Sequence, residues 1–483
     1  HTRFALVSWG SEMCIRDRPC YVHFVGIGGI SMSGLAEILI DNGYTVSGSD
    51  SKESAVTDRL TSLGATIHYG HNYENITDDI SYLVYTAAVK QDNPELVAAR
   101  DKGITSVTRA VLLGHIMAQY KTAISVAGTH GKTTTTSMLS EILLAYECDP
   151  TILVGGMLKT IGGNLRVGHS DYLVTEACEY TNSFLSLVSN VNVILNVRED
   201  HLDFFKDIDD IRNSFKIFAD KLDENGTLII NSAIDNLSYF TNDLKCRYIT
   251  FGLDKNISDF SAENIVYNDF ACASFDVVKR VVKCEGGCCS LSGTETIAHI
   301  DLKVPGEHNI LNALAAFATA SSIKVPVEFI VKGLSNYSGT DRRFQYKGTF
   351  NGVTVVDDYA HHPDEIEATL TAARNYPHKT LWCVFQPHTY TRTKALMDKF
   401  AKALTLADKV VLAKIYPARE TDDLGISSDT LRAEIEKLGK EVYYFPTFEE
   451  IEKFLSKNCI NGDLLITMGA GDVVLIGENL VEK

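Results

Sequence analysis

The chain has 483 residues and a formal net charge of −17 at pH 7. This length is too great for one hydrophobic core and predicts about three domains. The acidic balance argues against nucleic acid or an anionic membrane as a partner, because both need an excess of Lys and Arg. Any anionic substrate must therefore meet a local cationic pocket.

Composition also bears on the compartment. The sequence has no apolar run of about 18 residues and no secretory apolar segment before its first strand, so we expect a cytoplasmic protein with no membrane insertion. The eleven cysteines are scattered, as expected of reduced thiols in an intracellular enzyme. Cys284, Cys288 and Cys289 are clustered, but the Glu-Gly-Gly between them favours a hairpin turn over a metal site.

Residues 1–18 differ from the rest of the chain. They lack an initiator Met and any clear periodicity, and they read like translated sequencing adapter. We interpret them as a non-native extension and exclude them from fold prediction.

The first patterned segment predicts a βαβ unit that binds a nucleotide diphosphate. Strand Tyr21–Val25 leads into the turn Gly26–Gly34, followed by helix Leu35–Ile40 and a second strand ending at Asp50. Glycines allow a diphosphate to approach the helix N-terminus, and Asp50 can bind a ribose hydroxyl. Ser31 stands where a third glycine is expected, so a nicotinamide site and a turn without a ligand remain alternatives.

A second phosphate loop follows strand Ala123–Ala127. Gly128–Thr134 lies between that strand and a helical segment, where glycines expose N–H donors and the helix N-terminus adds positive charge. Lys132 can reach the outer phosphates and Thr133 can ligate Mg²⁺. The spacing is shorter than in the general P-loop, and a plain tight turn is the alternative. If this loop binds ATP, the turn Gly26–Gly34 is more suited to a nucleotide-diphosphate substrate than to a hydride cofactor.

Two further strand ends carry candidate metal ligands. Strand Asp171–Thr175 ends at Glu176, and strand Val191–Val197 is followed by His201. The carboxyl ends of parallel strands share one sheet edge, so we expect both residues to face the phosphate loop. A solvated glutamate and a hydrogen-bonded core histidine are the alternatives.

Residues 226–304 alternate short strands with turns and predict an antiparallel patch beside the ATP sheet. An Ala-rich helix then spans Ile310–Ser321, with Gly306 and Asn309 at its start. Asn309 can either cap this helix or touch nucleotide.

A third unit begins near Ser338 and predicts a second doubly wound α/β sheet. Its five apolar strands are Val353–Val356, Leu381–Phe385, Val410–Ala413, Val442–Phe445 and Leu464–Thr467. Four strand exits are rich in His, Arg, Asp or Gly and converge on one edge, so we expect a second substrate there.

The ordered motifs of the chain resemble the muramyl ligase family, in its L-alanine-adding branch, from Tyr21 to the C-terminus. The motifs are Gly26–Gly34, Gly128–Thr134, Glu176–Tyr180, Asp200–Asp203, Asp341–Phe344, Asp357–Pro363 and Met468–Asp472. The resemblance implies that ATP, UDP-N-acetylmuramate and L-alanine give ADP, phosphate and the UDP-muramoyl-alanine amide through an acyl phosphate. This is the first peptide step of peptidoglycan precursor synthesis.

The resemblance also implies an α/β architecture of three domains. These are a Rossmann-like UDP-sugar domain at 19–121, a central P-loop ATPase-like domain with a β-rich flank at 122–337, and a Rossmann-like doubly wound amino-acid domain at 338–483. We expect a monomer or weak homodimer.

Site residues carried over from the family fall into five groups. The UDP-sugar would contact Gly26, Gly28, Gly29, Ser31, Asp50, His71, Thr86 and Arg109. ATP would contact Gly128, Thr129, His130, Gly131, Lys132, Thr133, Thr134, Asn309, Arg342 and Asp358, with Arg342 or Arg343 near the phosphates. The alanine pocket would contain His361, His362 and Arg392. Thr133, Glu176 and His201 would hold Mg²⁺. The catalytic residues would be Lys132, Glu176, His201 and His361.

The sequence departs from the family pattern at three places. Thr389 replaces a second arginine of some relatives, and Val111 replaces a usual Glu. Phe215, with Lys216 beside it, takes the place of a lysine that other muramyl ligases carbamylate, so no carbamylated lysine is assigned.

Three alternatives stay open. A recycling ligase that adds a ready-made tripeptide to the same UDP-sugar would share every ATP and UDP residue. An NAD-dependent dehydrogenase and an ATP-binding regulatory module are more remote.

Overall fold

The computed structural model describes residues 20–86, 89–202, 204–285, 288–418, 420–421 and 424–482, without the side chains of residues 282–291. The proposed non-native extension at residues 1–18 and the thiols of Cys284, Cys288 and Cys289 lie outside this description. Three parallel-rich sheets organise the chain.

The first sheet has five parallel strands in the order β3-β2-β1-β4-β5. The strands are β1 Tyr21–Val25, β2 Thr45–Asp50, β3 Thr66–Tyr69, β4 Tyr82–Tyr85 and β5 Thr105–Thr108. The helices are α1 Ile30–Asp41, α2 Ala55–Ser62, α3 Pro94–Asp101 and α4 Arg109–Met117. The strand predicted at Tyr21–Val25 is confirmed, whereas α1 begins at Ile30 rather than at Leu35, directly after the glycine-rich turn.

The central sheet has ten strands in the order β15-β14-β13-β12-β11-β10-β6-β9-β7-β8. They are β6 Thr122–Ala127, β7 Thr151–Leu158, β8 Gly163–Arg166, β9 Tyr172–Ala177, β10 Val191–Ile194, β11 Thr227–Asn231, β12 Arg247–Phe251, β13 Phe260–Tyr267, β14 Cys272–Glu285 and β15 Cys288–Pro305. The helices are α5 Lys132–Ala145, α6 Ile208–Asp220, α7 Leu237–Thr241, α8 Glu307–Ser322 and α9 Val327–Asn336.

The prediction of an antiparallel patch over 226–304 is wrong for its first half. β11 and β12 pair in parallel with the ATP sheet, because a helical crossover precedes each of them. Among the described residues of 226–304, only the β13–β14 and β14–β15 pairs are antiparallel, and β13 itself pairs in parallel with β12. The hairpin predicted at the cysteine cluster is confirmed by the backbone pairing of Glu285 with Cys288. The strand predicted to reach Val197 ends at Ile194.

The third sheet has six strands in the order β16-β17-β21-β18-β19-β20. They are β16 Gln345–Phe350, β17 Val353–Asp358, β18 Leu381–Phe385, β19 Lys409–Leu412, β20 Glu441–Tyr444 and β21 Leu464–Met468. The helices are α10 Pro363–Arg374, α11 Tyr390–Ala395, α12 Met397–Leu404, α13 Ser428–Lys437, α14 Phe448–Asn458 and α15 Val474–Glu482. The five predicted strands are confirmed. The antiparallel edge strand β16 escaped prediction because its sequence is mostly polar.

The first and central domains share one buried apolar cluster, which continues from Phe24 and Leu113 to Phe184 and Phe215. At this contact, a Cβ added to Gly114 of α4 would lie 2.1 Å from the Ser186 carbonyl oxygen. Only a glycine permits so close an approach of the two backbones. Within the described part of the chain, no helix is both long and apolar enough to cross a membrane.

Candidate functional site

The phosphate loop lies at the carboxyl end of β6, as predicted. Gly131 precedes α5 with a left-handed φ of +86°, and a Cβ added there would lie 2.5 Å from the Asn312 side-chain oxygen. Only glycine fits both conditions. Lys132 then opens the helix, with the hydroxyl-bearing Thr133 and Thr134 buried behind it.

Asn196, which follows β10, supports this loop from the neighbouring strand. Its side-chain oxygen accepts from the His130 N–H at 2.8 Å, and its amide donates to the His130 carbonyl at 3.0 Å. The Thr129 hydroxyl accepts from the Arg198 N–H at 2.9 Å. Sequence reasoning missed Asn196 because the predicted strand ran to Val197, whereas β10 ends at Ile194, two residues before Asn196.

Lys132 has a carboxylate partner that the sequence analysis did not assign. Its ammonium donates to both carboxylate oxygens of Glu179, at 2.9 and 3.1 Å, and to the Gly128 carbonyl at 2.5 Å. The Glu179 side chain is 3% exposed. Burial alone would lower the pKa of Lys132, but the Glu179 carboxylate outweighs it and raises that pKa. The lysine is therefore charged and held at the loop.

Glu176 and His201 lie on the same sheet edge but have separate local partners. A carboxylate oxygen of Glu176 accepts from the Gly155 N–H at 2.5 Å. The His201 ring stacks on Tyr180 with 4.6 Å between centroids, and its backbone N–H donates to Asp200 at 2.7 Å. The negative charge of Glu176 also acts on Lys132, which places this carboxylate beside the phosphate loop.

A cavity of about 740 Å³ lies between the central and third domains. Among the predicted ATP residues, its lining includes His130, Gly131, Thr134, Asn309 and Asp358. This volume falls in the usual range for small-molecule sites. The cleft is therefore large enough for a nucleotide.

Asn309 and Asp358 are fixed from opposite sides of this cavity. The Asn309 amide donates to the Pro305 carbonyl at 2.8 Å, and because α8 begins at Glu307 with no side-chain cap hydrogen bond, the alternative that Asn309 caps this helix is wrong. Asp358 accepts from the backbone N–H groups of Phe344 and Ala360, both at 2.8 Å. Burial raises the pKa of Asp358 to about 6, against the lowering effect of Arg343.

The two adjacent arginines have different surroundings. Arg342 donates to Asp357 at 3.1 Å and to the Gly469 carbonyl at 2.6 Å, and so ties two loops of the third domain together. Arg343 lines the cavity. Both guanidinium groups lie over the Tyr359 ring, at 5.0 and 5.2 Å from its centroid. Of the two arginines, Arg343 therefore borders the space that a ligand can enter.

Histidines from two domains meet at the rim of the cleft. The rings of His130 and His362 lie 4.7 Å apart, and His130 contacts a Glu365 oxygen at 3.1 Å. Ligand atoms of His130, His362 and Asp364 lie within 4.8 Å of one another. Both ring nitrogens of His362 already have partners, the Glu199 carbonyl and the Asp364 N–H. This group is a hydrogen-bonded contact between the domains.

Arg392 forms an ion pair between the third and central domains. It donates through two nitrogens to one oxygen of Asp200, at 2.9 and 3.2 Å, and both side chains are about nine-tenths buried. Burial would raise the pKa of Asp200, but Arg392 and His201 hold it well below its ordinary value.

Two further histidines lie beside this pair. The rings of His361 and His388 lie 5.6 Å apart, and burial lowers the pKa of each to about 4. The His361 Nδ1 lies 3.0 Å from the Tyr359 carbonyl, which only accepts. His361 is therefore neutral at pH 7, with its proton on Nδ1.

The first-domain candidates gather at the carboxyl edge of their sheet. Asp50 accepts from the Gly28 N–H at 2.8 Å, so its carboxylate closes the glycine-rich turn in addition to the ribose contact predicted for it. His71 contacts Ser49 at 2.9 Å, and Arg109 is half-buried at the start of α4. Gly26, Gly29 and Ser31 lie in or just after the turn, and Thr86 follows β4. Burial lowers the pKa of Arg109, and the thiol of Cys178 in the central domain acts the other way.

Comparisons with known proteins cover almost the whole chain. Models of the Mur ligase family, catalytic domain, of the Mur ligase middle domain and of the Mur ligase, glutamate ligase domain match residues 21–121, 126–320 and 342–471. The chain is 58% identical to the UDP-N-acetylmuramate–L-alanine ligase of Lachnospira eligens, over 96% of this chain and 99% of the relative. It is 55% identical to the enzyme of the same name from Agathobacter rectalis, over 97% and 99%.

Solved structures agree with this result. The UDP-N-acetylmuramate–alanine ligase of Thermotoga maritima superimposes with a TM-score of 0.75 at 30% identity, over 96% of this chain and 98% of that one. A murein peptide ligase from Psychrobacter arcticus gives a TM-score of 0.66 at 24% identity, over 96% and 98%, and shows the shared fold. The three-domain α/β architecture is confirmed, and the chain belongs to the Mur ligase family.

Proposed function

We propose that this protein joins L-alanine to the carboxylate of UDP-N-acetylmuramate at the expense of ATP. The observation that carries the proposal is the 58% identity to a ligase of that name across nearly the full length of both chains. The structure agrees with it, because residues of the phosphate loop and Arg343 line the interdomain cavity, Lys132 directly follows the loop residue Gly131, and Arg392 pairs with Asp200 between the same two domains.

The proposed division of labour follows the three sheets. Residues 19–121 hold the UDP-sugar, 122–337 hold ATP, and 338–483 supply the amino-acid site. Arg109, which begins α4 at the contact with the central domain, is suited to the negative charge of a bound UDP-sugar.

Phosphoryl transfer makes the muramoyl carboxylate reactive, because an acyl phosphate has phosphate as a leaving group and no longer has the carboxylate charge on its acyl group. The γ-phosphoryl group passes to a carboxylate oxygen and leaves ADP. Lys132 neutralises charge on the moving group, and Arg343 adds a second positive charge from the other domain. The loop N–H groups fix the phosphates in line.

The donor set suits Mg²⁺, which prefers oxygen ligands and phosphates. Thr133 offers a hydroxyl, and Glu176 and Glu179 offer carboxylates beside the same lysine, whereas the imidazole of His201 suits this ion less well. When bound, the ion neutralises phosphate charge and orients the transferred group.

The amine then attacks the acyl carbon, and phosphate leaves. Arg392 has the fork geometry for the alanine carboxylate, while His361 presents Nε2 as an acceptor toward the amine. Because burial keeps the pKa of His361 near 4, this ring orients the amine without adding a positive charge that would repel it.

The recycling ligase is not favoured. A murein peptide ligase shares only 24% identity with this chain, against 58% for an L-alanine ligase over a similar span. We further propose a monomer or weak homodimer in the cytoplasm, where ATP is available. Light scattering on a size-exclusion column tests the oligomeric state.

Phosphate release by the purified protein tests the function. With ATP, Mg²⁺ and UDP-N-acetylmuramate, we expect turnover on adding L-alanine and none on adding L-Ala-γ-D-Glu-meso-diaminopimelate. The matched control is Lys132→Met, which removes the charge but keeps the length of the side chain. Turnover with the tripeptide but not with L-alanine contradicts the proposal, and so does the absence of turnover with both acceptors.

A further inference from the structure

Glu95 is a buried carboxylate for which the proposed reaction has no role. It lies in the first turn of α3, and its side chain is 0% exposed. Four side chains surround it, contributed by β1, by β2 and by the segment after β3: His23, Ser49, His71 and Asn75. A buried charge is retained only with such compensation, because an isolated carboxylate in an apolar interior is costly.

One carboxylate oxygen of Glu95 holds Ser49 and His71, which lie at the carboxyl edge of the first sheet, here called the UDP-sugar edge. It accepts from the Ser49 hydroxyl at 2.6 Å and lies 3.0 Å from the His71 Nδ1. An ionised carboxylate only accepts, so the His71 proton lies on Nδ1. This arrangement fixes the ring and leaves Nε2 for a ligand, as a carboxylate does for a histidine that binds a metal.

Ser49 extends the effect of Glu95 to the glycine-rich turn. The Ser49 carbonyl accepts from the backbone N–H groups of Gly26 and Ile27, at 2.8 and 2.9 Å. The turn, the strand end that carries Asp50 and the buried carboxylate therefore form one connected unit.

The second oxygen of Glu95 holds the segment that carries His71. It accepts from the Asn75 amide at 2.6 Å, and the same amide nitrogen donates to the Gly70 carbonyl at 3.0 Å. The Gly70 N–H in turn donates to the Asp50 carbonyl at 2.8 Å. Residues 70–75 are thus tied at both ends.

The carboxylate is ionised in this setting. Burial would raise the pKa of Glu95, but the contact with His23 at 3.5 Å and the hydrogen bonds with Ser49, Asn75 and His71 outweigh it and lower the pKa to about 2. Its charge is a permanent feature at neutral pH.

We propose that Glu95 is a positioning residue for the UDP-sugar: its buried charge holds His71 and, through Ser49, the glycine-rich turn in the geometry that receives the diphosphate of a nucleoside diphosphate. This inference rests on the proposed function of the first domain. It assigns no contact between Glu95 and the substrate, since the carboxylate is fully enclosed.

The test is a comparison of Michaelis constants in Glu95→Gln, which keeps the shape and removes the charge. We expect KM for UDP-N-acetylmuramate to rise about tenfold, the effect of losing one charge-assisted hydrogen bond at the site, with KM for ATP and L-alanine and kcat within about twofold. Glu95→Asp keeps the charge but shortens the reach, and we expect an intermediate KM.

Glu452→Gln is the matched control. Glu452 is a buried glutamate of the third domain that accepts from Asn479 at 2.7 Å, so its replacement costs stability without affecting the UDP-sugar edge. An unchanged KM for UDP-N-acetylmuramate in folded Glu95→Gln overturns the proposal, and so does an equal rise for all three substrates.

Two further measurements keep the result interpretable. Should Glu95→Gln fail to fold, Ser49→Ala removes one contact to the carboxylate, and an unchanged KM in that variant also overturns the proposal. Calorimetric titration with UDP-N-acetylmuramate separates the two ideas. A wild-type protein that binds the UDP-sugar but forms no product contradicts the proposed function alone, and the affinity of Glu95→Gln then decides the role of Glu95.

Discussion

The UDP-sugar edge around Glu95 and the cleft around Lys132 and Arg392 both contain buried charge, but they compensate it differently. Glu95 and all its partners belong to one domain, so their geometry is complete without the rest of the protein. In the cleft, Arg392 of the third domain pairs with Asp200 of the central domain. The first site is preorganised by its own fold, whereas the second is complete only when two domains meet.

Removing Lys132 should have the largest effect on the cleft. In Lys132→Met the transferred phosphoryl group loses its nearest fixed charge, and we expect kcat to fall about 10³-fold, the upper range for one electrostatic group. Single-turnover phosphate release measures this loss. Lys121→Met, at an exposed lysine paired with Asp171, is the control and should retain full activity. Calorimetry should show that Lys132→Met binds the UDP-sugar as the wild type does. A matching loss of that binding would contradict the independence of the two sites.

Acid should affect the UDP-sugar edge through Glu95. The pKa of Glu95 falls from 4.5 to about 2 on folding, so its stabilising contribution is present above pH 4.5 and is lost as the pH falls toward 2. This shift corresponds to a contribution of Glu95 to the free energy of unfolding on the order of 3 kcal/mol. Urea titrations of wild type and Glu95→Gln measure it. The difference between them should shrink from about pH 6 to about pH 3, and a constant difference contradicts the assignment.

Replacing Arg392 should weaken the amino-acid site, and it also leaves the buried Asp200 without its cation. In Arg392→Ala we expect KM for L-alanine to rise about 10- to 100-fold, the value of a charge-assisted contact to a carboxylate. Initial rates at saturating ATP and UDP-N-acetylmuramate measure this change. Arg374→Ala, at an exposed arginine near Asp408, should leave the constant unaltered. A fall in kcat at constant KM would assign Arg392 to domain contact instead.

Replacing the two adjacent arginines should have different effects, one on ATP binding and the other on stability. We expect Arg343→Ala to raise KM for ATP about tenfold, because Arg343 lines the cavity. Arg342→Ala should instead lower the free energy of unfolding by about 2 kcal/mol, since it leaves the buried Asp357 without its cation. Kinetics and urea unfolding of both variants check the pair. The reverse result, a raised KM for ATP in Arg342→Ala and a lower free energy of unfolding in Arg343→Ala, would support the prediction from sequence that Arg342 contacts ATP.

Much of the fold was predictable because its strands are apolar and bounded by glycine or polar residues. β1 and β18 match their predicted bounds, whereas β16 was missed because a polar edge strand has no hydrophobic pattern. The parallel pairing of β11 and β12 depends on long-range contacts that local sequence does not specify.

The sequence predicted the motifs of the site but not the hydrogen-bonding partners of their side chains. Sequence placed Lys132 at the phosphate loop, yet it could not show that Glu179, rather than Glu176, accepts its hydrogen bonds. The position of a carboxylate two residues past the end of β9 depends on the path of the following turn, and strand periodicity does not determine that path. The same applies to Glu95, which α3 brings to three other elements.

The pairing of Lys132 with Glu179 has a consequence for anion selectivity. A bare anion that reaches the loop meets a neutralised lysine and the repulsion of a buried carboxylate. A nucleotide that arrived with a divalent cation would bring its own compensation, because Glu179 would hold the cation while the phosphates bound Lys132. The loop should therefore discriminate against sulfate, inorganic phosphate and metal-free nucleotide while accepting the metal complex.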